Sequence, residues 1–220
     1  MNKLRLRYNK MGKTKFISHL DLSSVMRRAI IRAGIKLRYS EGFNPHPYMS
    51  VALPLSVGMQ SRCELMDVGI LERLETDGFA DTITNYLPEG LNVEKAYYPE
   101  RKFADIAWVE IFGMMYYDIG VSNNTLCLLK ERFAHKNIEV AKKTKRGVVM
   151  LNISDYMRDI EFFYAGANAV EITAKISAQN PTLSPINLMD SLTGQFSELA
   201  PDFFEFTRRE VLDASLTVFR

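Results

Sequence analysis

The sequence predicts an α+β protein made of two ferredoxin-like (βαββαβ) modules with antiparallel sheets. Strand and helix patterns follow the order β-α-β-β-α-β over residues 1–99, and the same order returns over residues 100–220. The composition agrees with this class, because 47% hydrophobic and 25% charged residues over 220 positions are typical of a globular chain with a substantial core.

The first module begins with a strand and a helix. Residues 4–8 alternate apolar and basic side chains, so one face of the strand is buried and the other carries Arg5 and Arg7. Ser18 and Asp21 have the spacing of a capping box, and apolar residues then recur at helical spacing up to Gly34.

The rest of this module follows from turn residues and shorter patterns. Strand character is present in residues 36–39, 48–53, 64–71 and 91–98, and a helix is predicted over residues 77–87. Proline and charge interrupt the pattern at Pro99–Lys102, which predicts a boundary after residue 99.

The second module is predicted from the same signals. A helix is expected over residues 123–135, and another begins at Pro185 and continues to about Leu199. Strands are expected over residues 108–121, 138–141, 148–153, 158–164, 169–177 and 203–212.

Charge is distributed unevenly along the chain. Residues 1–50 contain eleven basic and two acidic residues, a net charge of +9, whereas the remainder has a net charge of −7. Such polarity favours a polyanionic partner for the first module. We expect nucleic acid rather than a membrane, because no basic amphipathic helix with aromatic residues accompanies the charge.

Several other classes of protein are disfavoured. No run of eighteen uncharged apolar residues and no signal-peptide pattern is present, so a cytoplasmic location is expected. Cys63 and Cys127 lack the spacing of a zinc or iron–sulfur site, and motifs for nucleotide cofactors are missing. We therefore expect no cofactor and no metal in this chain.

The candidate site is a basic surface with aromatic residues and two histidines. His19 begins the first helix, and His46 lies in a loop restricted by Pro45 and Pro47. Phe43 and Tyr48 offer rings for unpaired bases, although Phe43 has the alternative of filling the core. The predicted RNA contacts are Arg5, Arg7, Lys13, Lys15, Ser18, His19, Arg27, Arg28, Arg32, Arg38, Phe43, Asn44, His46 and Tyr48.

Two resemblances extend these observations. The chain resembles the radical SAM-linked protein family in residues Lys15–Leu22 and Tyr39–Pro47, together with Arg28, Gly58 and Glu64. The function of this family is unknown, and its members are encoded beside or fused to radical SAM proteins. This implies an accessory role in which the partner holds the cluster. The order of elements also resembles the RAMP-type CRISPR repeat-processing RNA endonucleases, which implies a RAMP-like arrangement and RNA binding.

These features lead to one main hypothesis and two alternatives. We expect an RNA-binding accessory protein that presents tRNA or rRNA to a partner radical SAM enzyme. The first alternative is an enzyme for a small ligand or for RNA processing, with His19 and His46 as acid and base. The second is a subunit that only docks on the radical SAM protein, which predicts a large exposed apolar patch.

Overall fold

The computed structural model describes residues 2–144 and 147–220. Its fold is mixed α+β, with mainly antiparallel strands and, within the described residues, four α-helices. The predicted α+β class is confirmed. The chain divides into two compact units, the first ending at Asp105 and the second comprising Ile106–Phe219, with Arg220 grouped with the first.

The first unit contains four antiparallel strands and two helices. Its sheet order is β4-β1-β3-β2. The elements are β1 (Asn2–Lys10), α1 (His19–Arg32), β2 (Met49–Ala52), β3 (Gln60–Ile70), α2 (Phe79–Thr84) and β4 (Leu91–Tyr97).

The core of this unit lies between the helices and one face of the sheet. Alternation along β1 turns Leu4, Leu6 and Tyr8 into this core, where they join Met26 and Ile30 of α1. The same alternation turns Lys3, Arg5 and Arg7 to the face opposite the helices.

Two predicted elements differ from the observed ones. Residues 36–39 form isolated bridges, Leu37 with Ile70 and Tyr39 with Pro47, rather than a strand. Proline has no backbone N–H, so the segment that contains Pro45 and Pro47 cannot continue a regular ladder. The second helix is also shorter than predicted, because it begins only after Gly78, whose φ is +78°.

The eleven residues of β3 connect two ends of the first unit. At the start of β3, Gly58 N–H donates to the Lys15 carbonyl (2.8 Å); at its end, Arg38 N–H donates to the Gly69 carbonyl (2.8 Å). We call these the helix-start end (residues 12–19 and 57–61) and the loop end (residues 36–48 and 67–73). At about 3.3 Å per residue, they lie roughly 30 Å apart.

In the second unit, antiparallel strands pair in the order β10-β5-β9-β8, and β6 forms a separate ladder with β7. Its α4 is shorter than predicted, because a turn at Gly194 (φ +67°) separates it from a 3-10 segment, Gly194–Leu199. The elements are β5 (Trp108–Tyr116), α3 (Asn123–Ala134), β6 (Glu139–Thr144), β7 (Gly147–Asn152), β8 (Met157–Tyr164), β9 (Ala169–Ser177), α4 (Pro185–Asp190) and β10 (Phe203–Leu212).

Candidate nucleic-acid interface

Arg5, a predicted RNA contact, is buried and bound within the protein. Its guanidinium donates two hydrogen bonds to the Asp67 carboxylate (2.6 and 3.0 Å) and one to the Arg101 carbonyl (3.0 Å). The ring of Phe103 lies 4.3 Å from the guanidinium carbon, and Arg5 is 1% exposed. Arg5 therefore holds residues 101–103 against the sheet rather than presenting a charge to solvent.

The hydrogen bond from Arg5 to the Arg101 carbonyl reaches beyond the predicted module boundary. Residues 100–105, which the sequence assigns to the second module, lie with the first unit in the structure. The charged segment Pro99–Lys102 does interrupt the strand pattern, but the Arg5 guanidinium binds it back onto β1.

The neighbours of Arg5 on β1 are more accessible. Arg7 Nε donates to Glu94 Oε2 (3.0 Å) at the surface of the unit. The ammonium of Lys3 lies 3.5 Å from Asp67 Oδ2, and its side chain is 47% exposed. Lys3 is therefore the residue of this face that places positive charge at the loop end.

The loop over residues 40–46 is closed by hydrogen bonds between Ser40 and His46. Ser40 N–H donates to the His46 carbonyl (2.9 Å), and His46 N–H donates to Ser40 Oγ (3.1 Å). Ser40 Oγ also lies 3.0 Å from His46 Nδ1, which fixes the imidazole. Gly42 has a φ of +114°, a conformation that favours glycine. The loop is thus held in one shape, with an exposed histidine at its base.

Aromatic residues lie at the tip and the base of this loop. Phe43 is fully exposed, so the alternative that it fills the core is wrong, and Asn44 beside it is exposed as well. At the base, the guanidinium carbon of Arg38 lies 5.8 Å from the Tyr48 ring centroid. His46, Tyr48 and Lys3 line a groove of about 300 Å³.

Ser18 caps α1 as the sequence predicts. Its hydroxyl accepts a hydrogen bond from Asp21 N–H (3.1 Å) and donates to Asp21 Oδ2 (2.7 Å). A helix N-terminus favours negative charge, and here the Asp21 carboxylate supplies that charge in place of a bound phosphate. His19 is exposed in the same turn, Lys13 is exposed, and Lys15 is half-buried. These residues belong to the helix-start end.

The arginines of α1 lie toward the opposite end. The helix has fourteen residues and is therefore about 21 Å long. It runs from the helix-start end toward Leu37, which bridges Ile70 at the loop end. Arg28 and Arg32 are exposed and Arg27 is half-buried.

The two candidate histidines lie far apart. His19 belongs to the helix-start end, whereas His46 lies beside the end of β3. Counting strand residues between these ends gives a separation of roughly 30 Å. An acid and a base must both reach one substrate, so this geometry does not support a reaction shared by His19 and His46.

Several basic residues in or beside the loop end are not among the predicted contacts. A second groove of about 610 Å³ adjoins the first and shares Lys3, Ser50 and Asp67 with it. Its lining also includes Arg73, Arg101 and Lys102. These residues lie in a part of the chain with an acidic excess, since residues 72–105 contain eight acidic and four basic residues, so only folding brings them beside Lys3.

Beneath the helix-start end, β1 ends in a buried lysine. Lys10 Nζ donates to the Ile17 carbonyl (3.1 Å). Burial lowers the pKa of Lys10, and the negative charge of Glu64 acts in the opposite direction. This polar contact supports residues 17–19 from below.

Metal-binding clusters and membrane spans are both missing from the described residues. No group of three or more His, Cys, Asp or Glu side chains there could hold a metal ion. No described helix is both long and apolar enough to span a bilayer.

Comparison with known proteins gives a family but no activity. The model of a family described as an uncharacterized protein conserved in bacteria, DUF2344, matches residues 3–185. No curated protein matches the chain.

Solved structures match over most of their length at low similarity. An unknown protein from Galdieria sulphuraria is 9% identical over 93% of this chain and 95% of that chain, with a TM-score of 0.28. Thermus thermophilus Cse3, bound to an RNA representing a pre-cleavage complex, is 11% identical over 93% and 98%, with a TM-score of 0.18. Scores this low carry no argument about fold or function.

Proposed function

Because this chain belongs to the bacterial DUF2344 family, whose description names no activity, we propose a function from its surface: it binds RNA through the loop end of its first unit. The RNA is a tRNA or an rRNA, and the predicted contacts of the α1 arginines and of residues 38–48 meet it there. A long RNA would also extend to the helix-start end and contact Lys13, Lys15 and His19 there.

One observation carries this proposal. The loop end gathers basic residues from separate segments around two adjoining grooves, with Tyr48 and the exposed ring of Phe43 beside them. Lysine and arginine bind phosphates, and exposed aromatic rings stack on unpaired bases. A broad basic surface of this kind suits a nucleic acid, because successive phosphates along the chain can contact charges from several segments.

The test is binding of fluorescently labelled tRNA and rRNA fragments, measured by anisotropy at several salt concentrations. We expect Arg38→Glu to weaken binding and to lower the salt slope by about 0.7 for each phosphate of a single strand that the variant no longer binds. Lys130→Glu on α3 is the matched control, since Lys130 is an exposed lysine of the second unit. No binding by the wild type at low salt, or equal effects of both variants, contradicts the proposal.

The partner is proposed on the resemblance alone. We propose that the bound RNA is presented to a radical SAM enzyme. That enzyme supplies the iron–sulfur cluster, since this chain has only two cysteines, 64 residues apart, which lack the spacing of cluster ligands. Incubating RNA with a radical SAM enzyme of the same genome, with and without this protein, tests the step. RNA modification that does not depend on this protein contradicts it.

A second candidate function, docking on a protein partner, is favoured by an apolar patch at the helix-start end. Phe16, Leu20 and Val57 are 63%, 76% and 60% exposed. The hydrogen bond from Gly58 N–H to the Lys15 carbonyl (2.8 Å) brings the chain neighbours Val57 and Phe16 to the same end. Exposed apolar residues on one surface are typical of interaction sites. We expect Leu20→Asp to weaken binding to the radical SAM enzyme, and Ile119→Asp, at an exposed site of the second unit, to leave it unchanged.

We also propose that both units are ferredoxin-like modules. In the first unit, the antiparallel order β4-β1-β3-β2 supports this, with one helix in each βαβ connection. In the second unit, the order β10-β5-β9-β8 supports it, with the β6–β7 ladder inserted after α3. An experimental structure of either unit with another order of strands would contradict this assignment.

A further inference from the structure

The larger groove of the first unit lies beside the loop that carries His46. Its volume of about 610 Å³ falls within the range of about 300–1,000 Å³ that is usual for small-molecule sites. Its walls come from the first residues of β1, from Ser50 and Asp67 of neighbouring strands, from Arg73, and from residues 98–103.

The floor of this groove is a buried ion pair. Arg5 and Asp67 have side chains that are 1% and 5% exposed, and the carboxylate receives both guanidinium hydrogen bonds. Lys3 approaches the same carboxylate at 3.5 Å. The negative charge of Asp67 is therefore balanced inside the protein and does not repel an anion in the groove.

The walls have a positive excess. Arg73, Arg101 and Lys102 line the groove, with Glu100 as the acidic residue among them. Arg73 and Lys102 are exposed, so an anion can approach both. Arginine and lysine side chains that converge on a concave site are suited to a phosphate group.

Aromatic rings distinguish this groove from a simple anion site. The guanidinium carbon of Arg73 lies 4.7 Å from the Tyr98 ring centroid, and the Tyr98 hydroxyl is held by Leu74, donating to its carbonyl (3.0 Å) and accepting from its N–H (2.7 Å). The ring of Phe103 likewise lies against a guanidinium, with its centroid 4.3 Å from the guanidinium carbon of Arg5. Guanidinium planes and fixed rings are the groups on which proteins stack bases.

We propose that this groove binds one phosphorylated nucleotide, with its phosphate at Arg73 and Lys102 and its base against the Tyr98–Phe103 wall. The proposal deepens the RNA-binding function and rests on it, since the nucleotide then belongs to the RNA that the loop end contacts. A free nucleoside monophosphate has the same chemistry and is the other source of the ligand.

Calorimetry and anisotropy with the full-length protein separate these sources. The probes are the four nucleoside monophosphates, the matching nucleosides without phosphate, inorganic phosphate, and a single-stranded RNA oligonucleotide. We expect the monophosphates to bind more tightly than the nucleosides or inorganic phosphate, and to compete with the oligonucleotide for the protein. Arg73→Glu and Lys102→Glu should each weaken monophosphate and oligonucleotide binding by about tenfold or more, as expected for loss of a charge-assisted hydrogen bond.

Matched variants make the result specific to the groove. Arg73 and Lys102 are exposed, and circular dichroism would check that both variants fold. Lys130→Glu, in the second unit, should bind every probe like the wild type. Equal binding of nucleosides and monophosphates, or unchanged affinity in both groove variants, would overturn the proposal.

The outcomes also separate this inference from the RNA-binding function. If Arg38→Glu weakens RNA binding while both groove variants leave it unchanged, the groove proposal fails and RNA binding stands. If the protein binds monophosphates through Arg73 and Lys102 but binds no RNA, the groove is a site for free nucleotide and the RNA-binding function fails. If neither kind of probe binds, both fail.

Discussion

Replacing Arg5 with methionine tests how much the buried ion pair between Arg5 and Asp67 stabilises the fold. Breaking a buried pair leaves the partner carboxylate without compensation, which costs about 3–5 kcal/mol. Here Lys3 stays 3.5 Å from Asp67, but its side chain is 47% exposed. An ion pair with that exposure contributes at most about 1 kcal/mol to the free energy of unfolding. We therefore expect Arg5→Met to lower the free energy of unfolding by about 2–4 kcal/mol.

Urea denaturation followed by circular dichroism measures this loss, provided the m-value is unchanged. The double variant Arg5→Met/Asp67→Leu is the control, because removing both charges together is often close to neutral. We expect it to be more stable than Arg5→Met alone. A loss below about 1 kcal/mol for the single variant, or a double variant no more stable than the single one, would refute the reasoning.

Three further predictions concern other parts of the chain. Gly113→Ala should destabilise the protein by about 1–3 kcal/mol, because its Cβ would overlap the ring of Phe206; thermal unfolding of the variant checks this, and an unchanged Tm contradicts it. Burial, and then the charge of Asp202, raise the pKa of Tyr117, so the unfolded chain loses this proton first and stability should fall as pH rises above 10.0. Tyr117→Phe should show a smaller alkaline loss of stability, and an identical pH profile would argue against that cause. Phe43→Ala should change the free energy of unfolding by less than about 0.5 kcal/mol, since the ring is exposed. It should weaken RNA binding by about 1–3 kcal/mol if the ring stacks on a base. A large loss of stability would contradict the exposed position of the ring.

The sequence by itself determined the elements whose patterns are local. The alternation of residues 4–8 predicts a strand with one apolar face, and the structure places Leu4, Leu6 and Tyr8 in the core. Ser18 and Asp21 cap α1 because capping depends on residues three positions apart. Residues 36–39 are one exception, since β propensity alone does not reveal that proline interrupts their pairing.

Tertiary structure decided which of the basic residues share a surface. The local pattern places Arg5 on the outward face of β1 but does not show that Asp67, 62 residues later, receives its charge. It also does not show that Pro99–Lys102, which has the composition of a linker, folds back to form a groove wall. Both outcomes depend on contacts between residues distant in sequence, and a single sequence carries no local signal for such contacts. The same reason explains why His19 and His46, both in a basic segment of fifty residues, lie at opposite ends of β3.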